Sequence, residues 1–405
     1  MILFDRGPLG PSWQTHGARL AAVTPKTGDE SVLRLDCAWD PRVVLRAGAV
    51  NAHTHLYSGL APLGLPPPAR PPNNFLEILQ RVWWRLDRAL DAPLLRASAR
   101  YAIADALLSG TTSLIDHHES PGFIEGSLDV LADCAQELGL RLALGYGATE
   151  RNGGPEEGRR GLAECERFLK ESKRTLVRGL VALHASFTVS DDTIRAAGEL
   201  ARKLSVPVHV HVAEDSADLF DAQRRGYEGP LERLMTLGAL PQGSIIAHGV
   251  HLTAVQVQRA KVAGLWFVQN PRSNEGNRVG YPAALRGSAM VALGTDGWPS
   301  DMEAEAAALK RLGSAAGDPD EVLEARTTAG HRLASEVFGE RLGQIQQNAA
   351  ADVVVGIPGE PPRHVVVGGR RVVIEGRLIT GDLAEIRARA HEAAPELWKR
   401  MDAVG

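Results

Sequence analysis

A mostly apolar run ending at Asn51 leads into His53 and His55. Side chains two apart on a strand share one face, so the two imidazoles converge on a point, as a divalent cation requires. In a chain with 13 histidines the pair reads equally well as a structural one. Other residues widen the set. The segment Pro207-Val-His-Val-His-Val-Ala-Glu214 offers His211 near the end of an apolar run, with Glu214 three residues on and His209 on the same face but deeper. His248 follows Ser244-Ile-Ile-Ala, and His251 lies beyond it, where it caps or packs. Asp296 stands between Gly294-Thr and Gly297, a setting open to close approach by metal and substrate, although Asp-Gly is also a common turn pair.

Three imidazoles and one carboxylate suit a catalytic zinc or iron with one position left for water, whose pKa falls toward roughly 7 on binding. Manganese fits the same donors. Asp296 can accept the water proton while it ligates. Glu214 is placed for general acid work, and His248 for polarising the water or steadying a developing charge.

The elements that must position these residues alternate in type. Apolar runs at 49–53, 112–116, 141–145, 179–183, 207–211, 244–247, 265–269 and 290–294 are candidate strands. Helical patterns at 93–108, 124–137, 161–170, 192–203 and 230–237 lie between them, with Ser127, Ser190 and Asp191 as N-cap candidates. Eight strands of this kind close a (β/α)8 TIM barrel, whose active site lies at the C-terminal strand ends. His53 and His55, Asp116 to His118, His184, His211 to Glu214, His248, Asn270 to Asn274 and Asp296 all fall at such an end. Scattered core histidines have no reason to choose one end of six strands, so the metal reading prevails. Outside the barrel (48–344), residues 1–47 and 345–382 read as short β segments, including 32–37, 353–357, 364–367 and 371–374, that form one small β-sandwich domain from both termini. An amphipathic helix takes 383–405, and the Pro-rich loop 61–74, just before Trp83 and Trp84, is a lid candidate.

The bulk numbers exclude other classes. A net charge of −4 gives no reason to expect nucleic acid or an anionic membrane as partner. Cys37, Cys134 and Cys165 are far apart and read as buried thiols of a reducing compartment. No signal-peptide pattern or membrane-length apolar run is present, which points to the cytoplasm and to a small-molecule substrate, with a homodimer left open. His-Glu-x-x-His, the cysteine-ligated zinc deaminase signature, Gly-x-Ser-x-Gly and the P-loop are absent.

Taken together, Asn51-Ala-His-Thr-His55, His211-Val-Ala-Glu214, Ala247-His-Gly249, Asn270-Pro-Arg-Ser-Asn274 and Gly294-Thr-Asp-Gly297 resemble the amidohydrolase superfamily in its mononuclear aminohydrolase branch. Asp116-His-His118, His184-Ala-Ser-Phe-Thr-Val-Ser190 and the Asn74 to Asp87 stretch make it most similar to the aminohydrolase group named SsnA. The resemblance implies one divalent metal, zinc before iron or manganese, on His53, His55, His211 and Asp296, with Glu214, His248 and Asp296 catalytic. Binuclear members carry a lysine at the end of strand four, where this chain has His184. Ala47-Gly48 replaces the usual Pro-Gly, and Gly7 to Pro11 interrupts the usual first strand. The implied reaction is hydrolytic deamination of an aminated heterocycle such as a purine, pterin or triazine. His118, His184, Asn274 and Trp298, with His117 and Arg272, are expected to line the pocket, though His118 and His184 read equally as packing residues. Expulsion of halide or an alkylamine is the alternative. Glu214 favours deamination, because a ring nitrogen must gain a proton as hydroxide adds. A non-catalytic metal-binding barrel fits less well, since Glu214 and Asp296 are both present.

Overall fold

Eight parallel strands surround the centre of the structure, a computed structural model that describes residues 2–5, 12–23, 33–36 and 42–404. They are β1 (Ala49–Thr54), β2 (Thr111–His118), β3 (Arg141–Ala148), β4 (Val181–Ala185), β5 (Val208–Val212), β6 (Ile245–His248), β7 (Trp266–Gln269) and β8 (Val291–Leu293). Each pairs with the next in chain order. A parallel bridge between Thr54 and Asp296 joins the two edges, and the Thr295 and Asp296 amides donate to the His53 carbonyl at 2.9 and 3.0 Å. This is the TIM barrel that the alternating pattern implied. Its strands are apolar on both faces because helices cover the outside while side chains fill the inside. Every residue of β2 and β3 is buried.

Local signals start the helices. Asp91 caps Ala92–Leu108 by accepting from the Leu94 amide at 3.0 Å, with Pro93 in the first turn. Ser190 caps Asp191–Leu204 as expected, accepting from the Thr193 amide. Two other cap candidates sit one residue inside their helices. Gly126 (φ 83°) takes the cap position ahead of Ser127, whose hydroxyl donates to the Ile124 carbonyl at 2.7 Å. Asp191 instead accepts from Arg233 at 2.8 Å and from the Tyr227 hydroxyl at 2.6 Å.

The β-sandwich draws on both ends of the chain. Val44–Ala47 pairs antiparallel with Val353–Gly356, and His364–Val367, Arg370–Ile374 and Arg377–Leu378 extend that sheet. A second sheet holds Ile2–Asp5, Ser12–His16, Arg19–Val23 and Leu33–Asp36. Phe4, Leu20, Val353, Val355 and Val366 pack together as a buried cluster of this region. Of the expected 32–37 segment, Val32 and Cys37 lie outside the described residues, as does the Gly7 to Pro11 run. Cys134 and Cys165 are buried free thiols. Among the described residues no helix is long and apolar enough to cross a membrane.

Arg141 at the start of β3 ties the barrel to the sandwich. Its guanidinium, 1% exposed, pairs with Asp352 and, at 3.0 Å, with Glu340, while Asp352 also accepts from the Gly368 amide at 2.6 Å. Removing one partner of such a pair strands the other charge in the interior. Asp352→Ala should therefore cost about 3–5 kcal/mol, nearer the lower figure because Glu340 remains. Urea unfolding measures it, and a loss under about 1 kcal/mol would show that the pair is merely tolerated.

Candidate metal and substrate site

Four imidazoles and two carboxylates meet at the C-terminal mouth of the barrel. Period-two alternation sends His53 inward from β1, and His55 follows just past its end. His211 comes from β5, His248 ends β6, and Asp296 follows β8. His55 Nε2 lies 2.9 Å from Asp296 Oδ1 and 3.3 Å from His211 Nε2, while His53 Nε2 is 3.7 Å from the same Asp296 oxygen. Ligand atoms of His53, His211, His248 and Asp296 all fall within 4.8 Å of one another.

The other ring nitrogens are tied behind this cluster. His55 Nδ1 meets the His117 carbonyl and His211 Nδ1 the His184 carbonyl, each at 2.6 Å. Bonded to those carbonyls through Nδ1, both rings turn Nε2 toward the centre. His53 Nδ1 contacts His209 Nε2 at 3.0 Å, which makes His209 the deeper supporting residue expected from its place on the strand. His248 Nδ1 meets Asn274 Oδ1 at 2.9 Å. Among the rings of His53, His55, His211 and His248, two buried nitrogens lack partners, His53 Nε2 and His248 Nε2. Orphaned buried nitrogens are rare, and a cation among these donors would satisfy His53 outright. The donor set fits a divalent metal.

Backbone strain accompanies the site. His248 and Asp296 adopt left-handed conformations (φ 73° and 54°), which side-chain-bearing residues seldom do away from functional sites. Gly294 permits the approach on the β8 side, since a Cβ there would stand 2.7 Å from the His53 carbonyl oxygen and 2.6 Å from Asn270 Oδ1. Asn51 staples the same junction, accepting from the Thr295 amide at 3.0 Å and donating to Thr295 Oγ1 at 2.7 Å. Ser273 donates to Asp296 Oδ2, which leaves Oδ1 facing the histidines.

Charge is distributed unevenly. Burial drives His53 down to about 3. Burial also opposes a charge on His55, but Asp296 and Glu119 outweigh it and carry the ring up to about 10. Asp296 stays well below the usual carboxylate range despite burial, because His53 and His55 face it. The cluster thus holds a proton where a cation would bind. Glu214 goes the other way. Burial, reinforced by Asp296, pushes its carboxyl well above its usual range, toward the protonated form. Its Oε2 lies 3.5 Å from His248 Nε2, and Oε1 has no partner.

Comparison with known proteins matches the chain to a family. The model of the Amidohydrolase family covers residues 44–372. The chain belongs to that family. It is 30% identical over 398 residues to a 5'-deoxyadenosine deaminase of Methanopyrus kandleri, covering 87% of this chain and 86% of the relative. An 8-oxoguanine deaminase of Pseudomonas aeruginosa is also 30% identical, over 403 residues and 88% of each chain. A zinc-bound crystal structure of an adenosine deaminase from Xanthomonas campestris superimposes with a TM-score of 0.79 at 24% identity, over 96% of this chain and 93% of that one, a likeness of fold.

In this amidohydrolase a cavity opens directly over the cluster. His55, His211, Glu214 and Asp296 form its floor, with His184 and Trp298 in its wall. His118 and Asn274, expected beside them, are elsewhere. Alternation along β2 turns His118 away from the histidine cluster, where it bonds Ser120 Oγ at 2.8 Å against the Tyr146 ring. Asn274 is turned inward to hold His248. His117 is buried with Nε2 on the Leu183 carbonyl (2.9 Å), and Arg272 is held by Glu305. Residues not anticipated from sequence complete the wall: Phe75, Leu79, Trp83, Trp84, Phe187 and Glu119. A π-helical turn, Leu79–Trp83, sets the two tryptophans, and such turns recur at functional sites. For Glu119 the signal was its position directly after Asp116-His-His118 at a strand end.

Proposed function

We propose that this chain is a metal-dependent aminohydrolase that removes an exocyclic amino group from a small heterocycle of the purine, pterin or triazine kind. The observation that carries the reading is Glu214. It is a carboxyl group pushed toward its protonated form by burial, with one oxygen free of partners, set in the cavity 3.5 Å from His248 and beside the histidine–aspartate cluster. His53, His55, His211 and Asp296 would hold one divalent cation, zinc by preference. When bound, that cation supplies Lewis acidity and makes hydroxide available at neutral pH. The protein supplies the rest. Glu214 delivers its proton to the ring nitrogen next to the reacting carbon. Asp296 accepts a proton at its carboxylate and passes it to the departing amine. His248, anchored through Nδ1 by Asn274, presents Nε2 to the oxygen that develops negative charge. The aromatic wall stacks the ring and excludes water. The names of the two 30%-identical relatives, both deaminases, support the same reaction class.

The test is a screen of metal-loaded protein over aminated purines, pterins and triazines beside their chloro and alkylamino analogues. Ammonia release from at least one aminated ring is expected. Release of chloride or alkylamine alone would replace this reading with the other leaving groups.

A further inference from the structure

One side of the cavity differs in character from its floor. Six of its side chains, Phe75, Leu76, Leu79, Trp83, Trp84 and Phe187, are apolar, and all but Phe75 stay partly exposed. Large apolar side chains gathered half-exposed in one concavity mark a ligand face. This wall is continuous with the histidine–aspartate cluster. A Cβ on Gly297, the residue after Asp296, would stand 3.7 Å from the Trp83 indole. At its other end the His184 ring lies 5.6 Å from that of His211, with Trp84 and Phe187 at 6.2 and 6.4 Å from His184. The Trp84 and Phe187 rings are 6.4 Å apart with their planes tilted by 34°. Leu79 belongs to the same turn as Trp84, whose amide donates to its carbonyl.

Buried contacts hold the wall in place. In the helix Trp84–Arg88, Asp87 accepts from Arg151 at 2.7 Å, and both side chains are buried. Arg151 donates to Thr149 Oγ1 at 3.0 Å, just past β3, and its guanidinium lies 4.8 Å from the Trp84 ring centre. Arg85 donates to the Met401 carbonyl at 2.7 Å. A preformed surface binds a ligand without the entropic cost of being ordered. The six wall side chains have nothing to hydrogen-bond with except two indole N–H groups, and Trp84 Nε1 is itself buried. Small polar groups beside the wall are engaged. Ser58 donates to the His55 carbonyl at 2.9 Å, Ser273 to Asp296, and Asn277 to Ser273 Oγ at 3.2 Å.

We propose that the heterocycle this site takes carries an apolar alkyl or aryl substituent, which lodges against Leu79, Trp84 and Phe187 while the ring sits over the cluster. A hydroxylated substituent of the same size binds there more weakly, because its hydroxyl leaves water and finds no partner on the wall. The inference rests on the reading of the site as one for aminated heterocycles and narrows the substrate class.

The experiment reads binding, not turnover. Three 1,3,5-triazine-2,4-diones, bearing phenyl, ethyl or hydroxymethyl at carbon 6, are titrated into metal-loaded protein. They have no amino, halide or alkylamino group to lose, so nothing turns over. Calorimetry or quenching of tryptophan fluorescence gives the affinities. Phenyl should bind at least about 10-fold more tightly than ethyl, from the added apolar surface it buries. Ethyl should exceed hydroxymethyl, its near-isostere, by about 10-fold. Leu79→Ser should weaken phenyl binding about 10-fold and leave hydroxymethyl binding within about twofold, a difference that general loosening of the site would not produce. Phe187→Ser should do the same, and it serves if the Leu79 variant does not fold. Equal affinity for the three ligands, equal loss for phenyl and hydroxymethyl in a folded variant, or no saturable binding of the phenyl ligand would each overturn the proposal. Wall-dependent binding without ammonia release from any aminated ring would overturn only the deaminase reading. Ammonia release with equal affinities for the three ligands would overturn only this one.

Discussion

Glu214→Gln is expected to keep its full metal content and to slow ammonia release by about 10²–10⁴-fold, the usual worth of a positioned acid. The substitution preserves size and hydrogen bonding, so packing against His248 should persist. What it removes is a proton that can leave and return. The environment of Glu214 argues for that role. Burial and the neighbouring Asp296 push its carboxyl up toward the protonated form, whereas His53 and His55 push the Asp296 carboxyl down toward the ionised form. Two carboxyl groups pushed in opposite directions are the pattern of a donor and an acceptor of protons. Elemental analysis and an ammonia assay on the same preparation check it. A variant that holds its metal and releases ammonia at the parent rate would remove the general acid, and the halide-type leaving group would move ahead.

His211→Ala is expected to lose the metal, while the parent binds one equivalent. His211 Nε2 lies 3.3 Å from His55 Nε2, and its Nδ1 is bonded to the His184 carbonyl. Loss of an outer supporting partner alone costs about 10- to 100-fold in metal affinity, and loss of a direct ligand should exceed that. The expectation of a single equivalent has its own basis. Among the described residues two further groups of possible ligands exist, His55 with His117 and Glu119, and Glu119 with His184 and His211, but each must borrow His55 or His211 from the main cluster. The strand-four position that could carry a bridging lysine carries His184, with Nδ1 on Thr188 Oγ1 at 3.0 Å. Two equivalents in the parent, or full metal in the variant after dialysis, would contradict the assignment.

The barrel was legible because parallel strands are short, apolar and regularly spaced, and because chemistry-bearing residues collect at one end of them. His53, His55, His211, His248, Glu214 and Asp296 could be placed by that rule before any side-chain direction was known, and the structure brings these six together. The pocket wall was less legible. Which way a residue past a strand end turns depends on alternation and on the next hydrogen bond, and that separates His117 from His118 and draws Asn274 to His248. Trp83 and Trp84 reach the cavity through a π-helical turn that no sequence period announces. Glu119 had the right position but no motif of its own. The caps show the same limit, since Ser127 and Asp191 each sit one residue inside the helix because a neighbour takes the cap.

The most direct test is a zinc titration of chelator-stripped protein, with ammonia release from the best aminated heterocycle of the screen followed at each addition. The account predicts no release from stripped protein, a linear rise to one equivalent of zinc per chain, and a plateau beyond it. Ammonia release that persists without metal, or that needs a second equivalent to appear, would contradict it.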